Sequence, residues 1–257
     1  MVGGAPKVNG RAVSLRKRTA SGRREFGEGG QYMFLRRMLM CVLAISILPQ
    51  IAFANAPGSA AKWSSRQYTF SKNWFDSRIP SWTRLLEEFK GKPGINYLEI
   101  GAFEGRSALW VLENILTHPT SKITVIDAFE EKGIFQRFSS NITLSGEADR
   151  FRVLVGPSTE KLKELPSNSF DLAFIDGSGK GVSMLADLVG VWNLVKLDGI
   201  IICSRYPLDD KLRRDLKLKP NDPGPYEAID AFLKVHKNYT SVLSFQEDQI
   251  ILRKTRE

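Results

Sequence analysis

The chain has 257 residues, 42% hydrophobic and 25% charged, an ordinary globular composition with length enough to bury one substantial core. Its net charge is +9, but residues 1–56 carry nine Lys/Arg against two acids, so the rest is nearly neutral and no nucleic-acid footprint is expected there. Two cysteines, Cys41 in an apolar N-terminal run and Cys203 in a predicted core strand, do not make a disulfide scaffold.

Residues 1–32 are rich in Gly, Arg and Ser, lack apolar periodicity and are expected to be disordered. Arg36 and Arg37 then precede an apolar run, Met38 to Leu48, which Pro49 breaks and Ala54-Asn55-Ala56 closes. That order fits a secretory signal peptide cleaved after Ala56 or, read through Pro49, an uncleaved anchor. The 11-residue run is short beside the roughly 20 residues of a membrane span. Export or membrane association through residues 33–56 is the expectation, with organelle targeting, a place on the cytoplasmic face or a plain buried helix as alternatives. Residues 57–94 form an aromatic arm (Trp63, Tyr68, Phe70, Trp74, Phe75) and a helix from Pro80 through Phe89, stopped by Gly91 to Gly94. The arm reads equally as a strap over the core or a lining for a substrate.

From Asn96 the pattern alternates. Strands are predicted at 96–100, 122–127, 151–155, 170–175 and 199–203, with helices at about 105–117, 133–144, 159–165 and 181–195 between them. A long polar loop follows, then a helix at 225–236 and strands at 240–245 and 248–254, parted by Gln246-Glu247. Short continuous apolar strands suit a parallel sheet covered on both faces. The expected domain, 95–257, is α/β and doubly wound, a mostly parallel seven-stranded sheet with an antiparallel C-terminal hairpin.

The first strand ends in Glu99 and runs into Gly101 and Gly105, an acidic-x-Gly-x-x-x-Gly turn before a helix. A dinucleotide fingerprint aligned on Gly101 needs Gly at 99 and 104, where this chain has Glu99 and Glu104. Carboxylates there repel a pyrophosphate and suit a ligand with an ammonium or sulfonium group. The second strand ends in Asp127, placed to accept hydrogen bonds from ribose hydroxyls; a capping or solvated acid is the plainer reading. The two histidines, His118 and His236, lie near helix ends and read as solvated surface.

From about Tyr68 to Lys254 the chain resembles class I S-adenosylmethionine-dependent methyltransferases. It is similar in particular to the bacterial small-molecule, family 24-like or O-methyltransferase-like group, with E-I-G-x-x-x-G-x-S, an I-D strand end, F-D-x-x-x-I-D-G-S and a terminal hairpin. The resemblance implies S-adenosylmethionine as cofactor and a small-molecule acceptor. It puts Glu99 at the methionine amino group, directly or through water. Gly101, Ala102, Gly105 and Ser107 belong to the cofactor loop in this reading. Asp127 falls at the ribose, Ala128 and Phe129 at the adenine, and Gly156 and Ser158 on the adenine side. Asp176 falls between the methionine end and the acceptor. The group often places a His after D-G-S and an acid pair after the fifth strand, where a divalent metal can sit. Here those positions are Gly179 and Ser204-Arg205, so no metal is expected. Candidate proton acceptors are Asp176 first and Tyr206 second.

Overall fold

Five short apolar stretches, too short for buried helices and bounded by turns, form the parallel part of one sheet. In a computed structural model the described residues are 67–206 and 210–257. The strands are β1 (Asn96–Ile100), β2 (Lys122–Asp127), β3 (Phe151–Val155), β4 (Phe170–Ile175), β5 (Val195–Ser204), β6 (Thr240–Gln246) and β7 (Gln249–Lys254). Their order is β3-β2-β1-β4-β5-β7-β6. The first five pair in parallel, while β7 runs antiparallel to both β5 and β6. Strand order therefore reverses between β1 and β4, and the crevice at their C-terminal ends is where an open α/β sheet takes its ligand.

The helices are α1 (Ile79–Leu85), α2 (Arg106–Asn114), α3 (Ile134–Ser145), α4 (Ser158–Lys161), α5 (Gly181–Leu194), α6 (Asp210–Asp215) and α7 (Pro225–His236). Successive strand side chains point to opposite faces, so each strand serves two cores. Tyr97, Val125, Phe174 and Ile202 meet Trp82 of α1, Trp110 of α2 and Phe138 of α3. Leu98, Ile100, Ala173 and Ile201 meet Met184, Leu188 and Val191 of α5 and Ile229 and Phe232 of α7. Trp82 is fully buried, with its ring edge-on to Phe75 at 5.0 Å and to Phe174 at 4.9 Å. Cys203 is buried in β5, as a core thiol.

Four boundaries differ from expectation. The helix predicted through Phe89 stops at Leu85, and a separate 3-10 turn covers Glu87–Phe89. Strand β5 starts at Val195, which pairs with Phe170; 196–199 bulge out before Ile200 pairs with Leu172, and Asp198 turns that corner at φ 63°. Helix α6 interrupts the predicted polar loop. The hairpin turn is Glu247-Asp248, because Gln246 and Gln249 pair across it; it frees the Asp248 carboxylate to meet Arg78.

The expectations for residues 1–32 and 33–56, and Trp63, lie outside the described residues. Among the described residues no helix is long and apolar enough to cross a membrane.

The arm proves to be both strap and wall. Phe75 is in the core, while Phe70 and Trp74 line a cleft. Polar bonds hold the stretch of chain just before Phe70. The Tyr68 hydroxyl donates to Glu113 of α2 at 2.6 Å. Thr69 N–H donates to Asn141 Oδ1 at 2.9 Å, and Asn141 Nδ2 donates back to the Thr69 carbonyl at 3.0 Å and to the Glu104 carbonyl at 2.9 Å. Truncating Asn141 orphans three backbone groups, each costing about 1–3 kcal/mol when buried. Asn141→Ala is expected to lower stability by about 2–4 kcal/mol and to open residues 67–75 to protease. A limited-proteolysis pattern identical to wild type rejects this account of the latch.

Candidate active site

The turn after β1 is built by residues that only a crowded backbone needs. Gly101 has φ 83°, and a Cβ there would lie 2.4 Å from the Asp176 carbonyl oxygen and 2.8 Å from Gly177 Cα. The turns after β1 and β4 thus touch backbone to backbone, which no side chain permits. Gly105, φ 86°, sits just before α2 against the Phe138 ring.

Under this turn lies Glu99, with no exposed surface. Its Oε1 accepts from the Ser107 hydroxyl and its Oε2 from the Tyr97 hydroxyl, the latter at 2.8 Å. Burial raises its pKa from 4.5 to about 8; the Ser107 and Tyr97 hydroxyls pull the other way, and the charges of Asp176 and Asp127 add to the rise. Ser107 stands between Glu99 and the cleft. Glu104, also buried, accepts from the Ser71 N–H at 2.6 Å and hydroxyl at 2.8 Å and pairs with Arg137. Burial works against its charge, but the Ser71 bonds and Arg137 prevail and hold its pKa below the ordinary value.

Asp127, at the end of β2, joins two loops. Its Oδ2 accepts from Phe103 N–H at 2.9 Å and its Oδ1 from Phe129 N–H at 2.8 Å. Both phenylalanines have positive φ, 52° and 47°, a conformation that costs energy for any residue but Gly and is held here by the shared carboxylate. Each Asp127 oxygen keeps lone-pair capacity for another donor. Gly156 follows β3 and donates its N–H to the Asp127 carbonyl at 3.0 Å, which ties the ends of β2 and β3 together. Ala128 is exposed there, and Phe129 stacks near Phe135 and Phe138. Ser158 begins α4, and its side chain lies near Asp187 of α5. Asp187 is 2% exposed and its Oδ1 has no partner; burial pushes its pKa up to about 6, against the pull of Ser158. Nothing in the sequence pattern singled Asp187 out, since it reads as one polar position on an apolar helix.

At the end of β4, Asp176 is clasped between two guanidinium groups. Arg78 Nη1 donates to its Oδ2 at 3.3 Å, and Arg205 Nη1 lies 3.0 Å from its Oδ1. Arg78 is buried and also grips Asp248 through Nε at 3.1 Å and Nη2 at 2.7 Å. Burial opposes its charge, but Asp176 and Asp248 hold its pKa above the ordinary value. Arg205 turns inward at φ 64°. Among the described residues no three His, Cys, Asp or Glu side chains gather as a metal site. Two unit charges 4 Å apart near a protein surface interact by about 4 kcal/mol, so a divalent cation on Asp176 would meet strong repulsion from both arginines. The donor set does not fit a divalent metal.

Tyr206 needs correction as a proton acceptor. Its hydroxyl donates to Asp230 of α7 at 2.9 Å, and its ring lies between Tyr226 and Phe245 at 5.0 and 5.6 Å. Burial and the Asp230 carboxylate push its pKa well up, which suits a donor rather than a base. Nor are the histidines at the site. His118 bonds Thr120 in the loop after α2, and His236, rather than lying free on the surface, stacks on Phe232 at 3.9 Å.

An open cleft lies over the Gly101 turn at the C-terminal ends of β1 and β4. Of the expected residues, Gly101, Ala102, Ser107 and Asp176 line it; Glu99 lies just behind, and the Asp127 and Gly156 group borders the neighbouring strand ends. Phe70, Lys72, Trp74, Arg78 and Phe103 also line it and were not anticipated as a set. Tyr206 is not among the lining residues.

Comparison with known proteins agrees with this geometry. Residues 98–204 match the family described as "Methyltransferase domain". Over 137 residues the chain is 26% identical to the catechol O-methyltransferase of Mycobacterium tuberculosis (strain ATCC 25618 / H37Rv); the match covers 49% of this chain and 60% of that relative's length. The structure is similar to an O-methyltransferase from Bacillus cereus solved in complex with SAH (TM-score 0.55, 18% identity, covering 77% of this chain and 89% of that one). It is similar also to an rRNA methylase from Streptococcus thermophilus (TM-score 0.52, 10% identity, covering 73% and 100%). At such identities the two structures speak to the fold alone. Residues 98–204, which span the Glu99–Ser107 turn, Asp127 and Asp176, match a methyltransferase domain, and the chain is similar to O-methyltransferases.

Proposed function

We propose that this protein methylates a small molecule, at oxygen or nitrogen, with S-adenosylmethionine and without a metal. The observation that carries the reading is the convergence of the Glu99–Gly101–Ser107 turn, Asp127 and Asp176 on one sheet edge beside an aromatic-walled cleft. The Gly101 turn fits a close-lying ligand, because it leaves backbone where a Cβ would stand. When bound, S-adenosylmethionine supplies an electrophilic sulfonium methyl. Glu99, through Ser107, is the anion for the methionine ammonium; Asp127 is the acceptor for the ribose hydroxyls. Ala128, Phe129, Gly156 and Ser158 border the adenine. Phe70 and Trp74 of the arm wall the cleft from water.

Calorimetry of the full chain with S-adenosylhomocysteine tests this, and the absence of saturable binding defeats it. Asp127→Ala is expected to weaken binding about 10- to 100-fold, the loss of one or two charge-assisted hydrogen bonds. It should also lower stability, as the Phe103 and Phe129 N–H groups lose their partner. Unchanged affinity removes Asp127 from the ribose role. Among the described residues no free base stands beside the cleft, which favours one second reading, a catalytically impaired cofactor-binding protein; it gains if binding persists and no acceptor is methylated. The assignment of residues 33–56 to export or anchoring, with organelle targeting as its rival, is tested by N-terminal sequencing of the mature protein from separated membrane and soluble fractions.

A further inference from the structure

The arm is the least secured wall of the cleft. Residues 67–75 belong to no helix or strand, and Ser71, Lys72, Asn73 and Trp74 are exposed. Side chains hold it, not a strand ladder: Glu113 of α2 at Tyr68, Asn141 of α3 at Thr69, and Glu104 at Ser71. A segment held this way opens at a small fraction of the cost of unfolding the whole domain. Phe75, seated in the core, is the pivot at its C-terminal end.

The arm is also tied to the 101–105 turn itself. Glu104 Oε2 accepts from the Ser71 N–H at 2.6 Å and Oε1 from the Ser71 hydroxyl at 2.8 Å. The Trp74 ring lies 5.0 Å from that of Phe103, whose N–H is held by Asp127 at 2.9 Å. Phe70, Lys72 and Trp74 share the cleft with Gly101, Ala102 and Ser107, so a ligand on the turn faces the arm. Glu104 is buried, and Arg137 pairs with it. A buried carboxylate bonded twice to an exposed stretch of chain favours one placement of that chain and loses both bonds in any other.

We propose that the arm is a gate for cofactor exchange and that Glu104 is its pin: S-adenosylmethionine enters, and S-adenosylhomocysteine leaves, when Ser71 releases Glu104. The inference rests on the methyl-transfer reading above. It gives the two carboxylates of the turn different tasks. Glu99 serves the ligand through Ser107, whereas Glu104 acts through Ser71 and is a positioning residue. The device is reversible. When the arm lifts, Arg137 stays beside the carboxylate, and water at the opened edge replaces the two Ser71 donors.

Two measurements on the full chain test the assignment. The first is stopped-flow mixing with S-adenosylhomocysteine, followed by tryptophan emission, which reads association and release. A gate changes both rates together, because opening precedes passage in either direction. Glu104→Gln keeps the shape but loses the charge and one acceptor. It is expected to speed both rates about tenfold, the scale of one charge-assisted hydrogen bond, with equilibrium affinity within about threefold of wild type. Ser71→Ala, at an exposed position, removes only the hydroxyl bond and should speed both about threefold. Unchanged rates in Glu104→Gln, or a change in release alone, overturns the proposal; if that variant does not fold, Ser71→Ala decides by the same criteria. The second measurement follows backbone amide exchange over residues 67–75 in the ligand-free chain by mass spectrometry. Exchange should be about tenfold faster in Glu104→Gln, or about threefold faster in Ser71→Ala, and exchange equal to wild type overturns the pin. Failure of wild type to bind S-adenosylhomocysteine defeats the methyltransferase reading instead; the exchange comparison needs no cofactor and stays decisive for the pin.

Discussion

Gly101→Ala is expected to abolish S-adenosylhomocysteine binding and to lower stability by about 3–5 kcal/mol. Two costs add. A residue other than Gly in the left-handed region is strained by about 1–2 kcal/mol. Overpacking a tight site costs about 1–3 kcal/mol, and more where the obstacle cannot move. Here the obstacle is the main chain of Asp176 and Gly177, at 2.4 to 2.8 Å. Neither can yield without moving β4, which is paired to β1 and β5. The same substitution at Gly94 is the control. Its φ is 69°, but nothing lies within 4 Å of the added methyl, so only the backbone strain should appear. Thermal unfolding and calorimetry of both variants check the contrast. Equal losses at Gly101 and Gly94 would show that backbone contact between the two turns does not matter.

Cofactor binding is expected to strengthen close to tenfold per pH unit from pH 6 to about 8, then level off. Glu99, raised to about 8 by burial, is mostly protonated at pH 7 in the ligand-free chain. An ammonium brought near it favours the carboxylate, so binding releases about one proton at pH 7. Titrations in buffers of different ionisation enthalpy measure that proton directly, and none released contradicts the placement of Glu99. Stability has the opposite sense. A carboxyl whose pKa rises on folding gives stability that is full below 4.5 and is lost as pH climbs through about 8. The loss is at most about 5 kcal/mol, by 1.36 kcal/mol for each pKa unit. Glu99→Gln keeps the shape, removes the titration and should be the more stable chain at pH 8 when empty. It should also bind S-adenosylhomocysteine more weakly, with a flat pH profile. A variant less stable than wild type at pH 8 would rule out a buried, proton-holding Glu99.

The strands were legible because each apolar run was short and bounded by turn residues, and the central ones, β1, β2 and β4, are buried on both faces. Four strands, β1 to β4, therefore match their predicted limits. The β5 start was not legible, because Val195 joins the sheet across a bulge that only pairing with Phe170 creates. Glu99, Gly101 and Asp127 could be singled out because their chemistry follows from position at a strand end. Arg78 could not, for it lies 98 residues from Asp176 and 170 from Asp248, and no local pattern links the three.

The sequence by itself determined the sheet, the glycine turn after β1 and the residues at Ser204-Arg205, since these depend on local period, glycine placement and residue type. Only the tertiary structure decided what those residues face. It turned Glu104 toward Ser71 and Arg137, drew the Tyr206 hydroxyl to Asp230, and closed Asp176 between Arg78 and Arg205. The reason is physical. A backbone turn is set by its own few residues, whereas a buried charge takes its role from whichever opposite charge the fold brings within reach.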